Sequence, residues 1–128
     1  MLKNSEGKHL LVRRNPKKYP SVGPKWDIVG GRIEPGATLF ENLKREIKKE
    51  VCLDLTVEPW LVAAQDILRV PGRHVVRLKY VGEMDGEPKL DDDHLERKWF
   101  AAEEIRRISG EALDLFFKEL VDKQIIIL

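Results

Sequence analysis

The sequence predicts an α/β fold of the α+β kind, a mixed β-sheet flanked by helices, and three features of the chain lead there. Short apolar runs bounded by turn residues recur between His9 and Phe100, each of strand rather than helix length. Two stretches, near residues 38–51 and 111–123, instead carry apolar side chains at helical spacing. Strands and helices do not alternate regularly, which favours a mixed sheet over a parallel one. The 128 residues suit a single domain over 1–128, since no repeat, low-complexity tract or Gly/Ser linker divides them.

Taken in order, Asn4-Ser5-Glu6-Gly7-Lys8 is a turn signal that leads into a strand over His9–Arg13. Pro16 to Pro24 reads as an irregular loop, and Trp26–Val29 as a short strand closed by Gly30-Gly31. Thr38-Leu39-Phe40-Glu41 has the S/T-x-x-E form of a capping box, in which hydroxyl and carboxylate satisfy orphan backbone donors. Leu39, Leu43 and Ile47 then recur every four residues with Phe40 and Val51 beside them, so an amphipathic helix runs to about Val51. Leu53–Val57 and Leu61–Leu68 read as strands parted by Glu58-Pro59, and Val70–Arg73 as a turn. His74–Val81 is a further strand, Glu83–Asp93 an acidic loop, and Arg97–Phe100 another strand. Ala101–Ile108 forms a short helix; after Ser109-Gly110 a helix from about Glu111 to Lys123 puts Leu113, Phe116, Phe117 and Leu120 on one side.

Composition excludes several function classes. The 23 Lys+Arg against 22 Asp+Glu leave a net charge of +1, and no basic stripe with interleaved aromatics is present, so nucleic acid is not an expected partner. No apolar run approaches the roughly 20 residues that span a bilayer, and the N-terminus lacks a signal-like apolar core, so no membrane partner and a cytoplasmic location are expected. The single Cys52 excludes an internal disulfide framework, and nothing near it in sequence supplies a base for thiol chemistry.

Most chemical information lies in GGRIEPGATLFENLKREIKKEVCL, from Gly30 to Leu53. Carboxylates at i, i+3 and i+4 share one helix face and can share a hard divalent cation. Positions 46, 49 and 50 form such a face, with Glu46 and Glu50 in place and Lys49 as the third member. Anchored on Gly31, residues Arg45, Glu46, Ile47, Glu50 and Leu53 match the pattern G-x5-E-x7-R-E-U-x-E-E-x-G-U, where U is a bulky aliphatic residue. The segment resembles the box of the Nudix hydrolase family. Gly30, Glu34-Pro35-Gly36, the strand ending in Arg and the late Trp99-Phe100 extend the likeness over most of the chain.

The resemblance implies a Nudix-like mixed β-sheet sandwiched between helices. It implies hydrolysis of a phosphoanhydride bond in a nucleoside diphosphate linked to another moiety, with Mg²⁺ or Mn²⁺ as cofactor and a small-molecule nucleotide as substrate. Glu46 and Glu50 become metal ligands, Arg45 the group that orients Glu46, and Gly30-Gly31 the phosphate turn. Glu46, Glu50 or Glu96 is the base toward the attacking water.

Three positions depart from the box. Ala37 stands where the family has Glu, which leaves Glu41 and Glu34 as braces for Arg45. Cys52 stands where the family has Gly, at a helix end that favours left-handed backbone, which should cost about 1 kcal/mol. Lys49 stands where the family has Glu. Either it pairs with Glu46 on a solvated face, or its ammonium takes the place of a lost ligand–metal pair; both weaken divalent binding. A Nudix-fold module that binds a nucleotide without hydrolysing it, or mediates an interaction, is the competing function.

Other candidates surround this segment. Of Arg13 and Arg14 only one can face the site, and Arg14 is the better placed to hold substrate phosphate. Trp26 and Tyr19 are candidates to stack on a base, with core packing as the alternative for Trp26; Trp60 and Trp99 belong to the core. Asp91-Asp92-Asp93, His94 and Glu96 make a late acidic segment able to supply a base, Glu96 first and Asp93 second. His9 and His74 sit in strand patterns and read as structural. Nudix domains carry a full strand before the turn equivalent to 4–8, so the apolar tail Gln124–Leu128 is expected to fill a vacant sheet edge, in its own chain or a partner's. A homodimer is therefore open.

Overall fold

The structure, a computed structural model, describes residues 1–18, 20, 23–89 and 94–128, the side chains of 94 and 95 apart. Its centre is β2 (His9–Arg14), whose first four residues are all buried. Alternation sends Leu10 and Val12 to one face of the sheet and Leu11 to the other, and both faces are covered by helices. One edge of β2 pairs with β1 (Leu2–Lys3) and with β3 (Trp26–Asp27); the other pairs with β6 (His94–Phe100). β5 (Val75–Glu83) lies parallel to β1, and β4 (Trp60–Ile67) closes the sheet as an edge strand antiparallel to β5. The result is a six-stranded mixed sheet.

Helix α1 (Leu39–Val51) lays Ile47 and Val51 over Leu2, Leu10 and Val12, joined by Leu53 and Leu55 from the segment after it. On the opposite face α2 (Ala102–Arg107) and α3 (Leu115–Asp122) bring Ile105, Phe117 and Leu120 against Leu11 and Phe100. The expected sandwich of helices about a mixed sheet is what forms. No described helix is long and apolar enough to cross a membrane.

Several elements differ from expectation. Leu53–Val57 pairs with no strand: Leu53 and Leu55 are buried and Asp54 and Thr56 exposed, so its alternation serves an extended packing segment rather than a ladder. The strand after the Pro-rich loop stops at Asp27. The last helix is split, with a 3₁₀ turn at Gly110–Ala112 and α3 starting after Asp114, whose carboxylate accepts from the Phe116 and Phe117 amides at 3.0 and 3.1 Å. Trp60 is 53% exposed rather than in the core, because β4 has no neighbour on its outer side.

The tail expectation is corrected too. The place beside β5 belongs to β1, and the tail folds back on its own helix. Gln124 takes φ 56°, and the amides of Ile125 and Ile126 donate to the Leu120 carbonyl at 2.9 and 3.2 Å. That reversal drives Ile126 into the core and leaves Ile127 80% exposed.

Candidate functional site

The site is built outward from the start of α1. Thr38 and Glu41 close the capping box, hydroxyl to Glu41 amide at 3.1 Å and carboxylate to Thr38 amide at 2.8 Å. Glu41 is thereby committed to the cap, and the brace for Arg45 falls to Glu34, 3.2 Å away. Asn42, buried one turn into the helix, folds the preceding loop onto it. Its Oδ1 accepts from the Glu34 amide at 2.8 Å and from Arg45 Nη1 at 2.7 Å, while its Nδ2 donates to the Thr38 and Ala37 carbonyls at 2.8 and 3.2 Å. Arg45 then uses Nη2 on the Arg32 carbonyl at 2.8 Å and on Glu46 Oε1 at 3.2 Å.

Glu46 and Glu50 follow on one face, each only 9% exposed, and the glycine pair holds both. The Gly30 amide donates to Glu50 Oε2 at 3.1 Å. A Cβ on Gly31 would lie 2.1 Å from the Glu46 carboxylate, so that carboxylate occupies the space beside the glycine. A side chain at 31 would oblige the Glu46 carboxylate to move. Lys49 is exposed, and among the described residues it makes no ion pair with Glu46.

Two neighbouring, largely buried carboxylates provide hard oxygen donors of the kind Mg²⁺ accepts while keeping several waters. Among the described residues no three His, Cys, Asp or Glu side chains converge into a closed metal cage. The two carboxylates fit a partly hydrated divalent ion whose remaining ligands would be waters or substrate oxygens.

A second charged group sits where β3 and β5 face each other. Arg14 pairs with the buried Asp27, and Arg77 Nη1 lies 3.9 Å from Asp27 Oδ2 and 3.6 Å from Asp114 Oδ1. Lys79 is buried beside them, and burial brings its ammonium down to about 8. Burial pushes the Asp27 carboxyl up, with the charge of Asp114 adding to it and Lys79, Arg14 and Arg77 opposing. The Met1 amine donates to the Tyr80 carbonyl at 2.5 Å, and burial lowers it to about 5. The Arg14 guanidinium is thus held by a carboxylate in this structure.

Glu96 and Trp26 lie elsewhere. Arg13 is paired in register with both Trp26 and Glu96, and all three share the sheet face of Leu11, opposite α1. Arg13 Nη2 is 2.5 Å from Glu96 Oε1, and Trp26 meets Phe100 edge-on with ring centroids 4.9 Å apart. The sheet separates Glu96 from Glu46 and Glu50, and Trp26 packs with the core. Trp99 stays in the α1-side core and His9 is buried, while His74 is exposed and bound to Asp66 at 2.6 Å. Tyr19 and Asp91–Asp93, with the His94 side chain, lie outside the described residues. Asn42, Asp27, Asp114 and Lys79 escaped sequence reasoning. A polar Asn beside an apolar helical stripe and a Lys inside a strand-like run were the available signals.

The family model for the NUDIX domain matches residues 1–120. The chain belongs to the Nudix family. Among curated proteins it is 38% identical over 69 residues to the nucleoside triphosphatase NudI of Enterobacter sp. (strain 638), covering 52% of this chain and 47% of that one. It is 30% identical over 105 residues to the ADP-ribose pyrophosphatase of Methanocaldococcus jannaschii, covering 81% and 60%. The chain thus spans about half to three-fifths of the length of the curated relatives it matches. The MutT protein of Methanosarcina mazei Go1 has the same Nudix fold at a TM-score of 0.79, with 23% identity over 96% of this chain and 86% of that one. The Nudix domain of Shewanella oneidensis NrtR, solved with ADP ribose, superposes at a TM-score of 0.73, with 16% identity over 96% and 80%.

Proposed function

We propose that the protein is a Nudix-type pyrophosphohydrolase cleaving a phosphoanhydride bond in a nucleoside diphosphate linked to another moiety, with Mg²⁺ or Mn²⁺ as cofactor and the cytoplasm as its place of action. The observation that carries this is the pinning of Glu46 and Glu50 to the Gly30-Gly31 turn, with Arg45 bracing Glu46 from behind. The two curated relatives, named for nucleoside triphosphate and ADP-ribose hydrolysis, support a small nucleotide as substrate. Glu46 and Glu50 would hold the divalent ion, which supplies charge neutralisation on the phosphoryl oxygens when bound. Glu50, tied to a backbone amide, and Glu46, tied to Arg45, differ in their freedom to take a proton from an attacking water. Arg45 Nη2, 3.2 Å from Glu46 Oε1, fixes the orientation of that carboxylate for the transfer. With a lysine at 49, divalent affinity is lower than three carboxylates would give.

A second reading, a Nudix-fold binding module, is favoured by Lys49 alone. Turnover assays with Mg²⁺ and then Mn²⁺ on nucleoside triphosphates, sugar nucleotides, ADP-ribose and dinucleotides decide between them. Turnover by the native chain is the expected result and names the substrate class. A silent native chain beside an active Lys49→Glu variant would mark a binding module whose box has decayed.

A further inference from the structure

The cations on α1 are accounted for, with one exception among the described residues. Lys44 lies over the Phe40 ring at 5.3 Å, Arg45 is held by Glu34, Asn42 and Glu46, and Lys48 reaches Asp54 at 3.1 Å. Lys49 has no such partner, although it stands one helical turn from Glu46 and next to Glu50. The reason lies on the other side of those carboxylates. Glu46 Oε1 is engaged by Arg45 and Glu50 Oε2 by the Gly30 amide, so each carboxylate has an oxygen committed away from Lys49.

We propose that Lys49 is a phosphate-binding residue: its ammonium contacts a non-bridging oxygen of the substrate's phosphoanhydride and supplies positive charge that a further metal ion would otherwise bring. This deepens the hydrolase reading, since it takes the Glu46–Glu50 face as the place where the phosphoanhydride lies. Two carboxylates repel an incoming polyphosphate, and some cation must offset them before the phosphates can approach. An exposed lysine on the rim, free of competing partners, offers a point charge suited to phosphate and needs no metal to be in place. The site would then engage a phosphoanhydride weakly without any divalent ion, and take up one ion per chain when metal is supplied.

The probe is inorganic pyrophosphate, titrated calorimetrically into the full chain in EDTA. The native protein binds it, and Lys49→Met lowers the affinity about tenfold or more, as loss of a charged hydrogen bond should. Lys49→Arg keeps most of the affinity, and Lys48→Met, one residue away and turned to Asp54, leaves it unchanged. In a parallel titration followed by electron paramagnetic resonance, Mn²⁺ binds one per native chain, and more tightly to Lys49→Glu. No pyrophosphate binding in EDTA, equal binding by Lys49→Met, or an equal loss in Lys48→Met would overturn the proposal. A silent turnover panel with Lys49-dependent pyrophosphate binding would instead defeat the hydrolase reading and leave this one standing.

Discussion

Glu46 lies where a side chain on residue 31 would go, and that single exclusion orders much of the site. Gly31→Ala must push the Glu46 carboxylate off the glycine backbone, 2.1 Å being far inside contact distance. A displacement of about 1 Å near reacting groups costs about 100-fold in kcat/KM. Steady-state kinetics on the substrate named by the panel, with a urea melt as folding control, checks it; unchanged kcat/KM would show that Glu46 need not sit there. Cys52 makes the opposite case. It holds φ 57° and ψ 30° at the C-terminus of α1, as expected for a position where glycine is easier. Cys52→Gly should add about 1 kcal/mol to stability in urea denaturation, and a lower midpoint would mean the cap is not strained. That Glu46 and Glu50 share a face was legible because helical spacing encodes it, whereas Arg45 was singled out by the likeness to the Nudix box. Asn42 was not, because what it does depends on a loop that only the fold brings within 2.8 Å of it.

Elements were legible in proportion to how much of their cause is local. The capping box of α1 is a four-residue signal, and it forms as read. β1 is two residues long and owes its existence to β2 and β5 on either side, so no pattern within Leu2–Lys3 could announce it. Leu53–Val57 has a strand's alternation without a strand's partner, and alternation cannot tell packing from pairing. The C-terminal tail is β-prone in composition, yet a left-handed Gln124 turns it into a helix cap. This assigns its last two isoleucines different fates. Ile126→Ala should cost about 2–4 kcal/mol by leaving a cavity, whereas Ile127→Ala should stay within about 0.5 kcal/mol. Thermal melts of both variants read the order; a larger loss at Ile127 would revive an edge-strand role for the tail.

At the scale of the molecule, a net charge of +1 conceals a core that holds charged groups. The Met1 amine falls from 8.0 to about 5 and Lys79 from 10.5 to about 8, burial being the main cause of both. Each is a cation whose pKa is lowered on folding, so the unfolded chain binds more protons and stability rises with pH. The amine acts between about 5 and 8, and Lys79 between about 8 and 10.5. Asp27, raised from 3.8 by burial, acts in the opposite sense. Between pH 6 and 8 the amine contributes an increase in stability of about 2 kcal/mol, and His9, lowered from 6.5 by burial, acts in the same sense. Urea denaturation at the two pH values measures it; a flat or falling profile would place the amine in water. Such linkage is invisible to composition, which counts charges without locating them.

Met1 and Ile126 belong to one apolar cluster, packed with Leu11 on the sheet face under α3. That cluster joins residues distant in sequence. During folding, the strands that carry this face stay open until α3 docks on it. Contacts of such long sequence separation slow folding and prolong the exposure of apolar strands to chaperones or to one another. The yield of folded protein in the cell thus depends on what shields Leu11 and its neighbours during that interval.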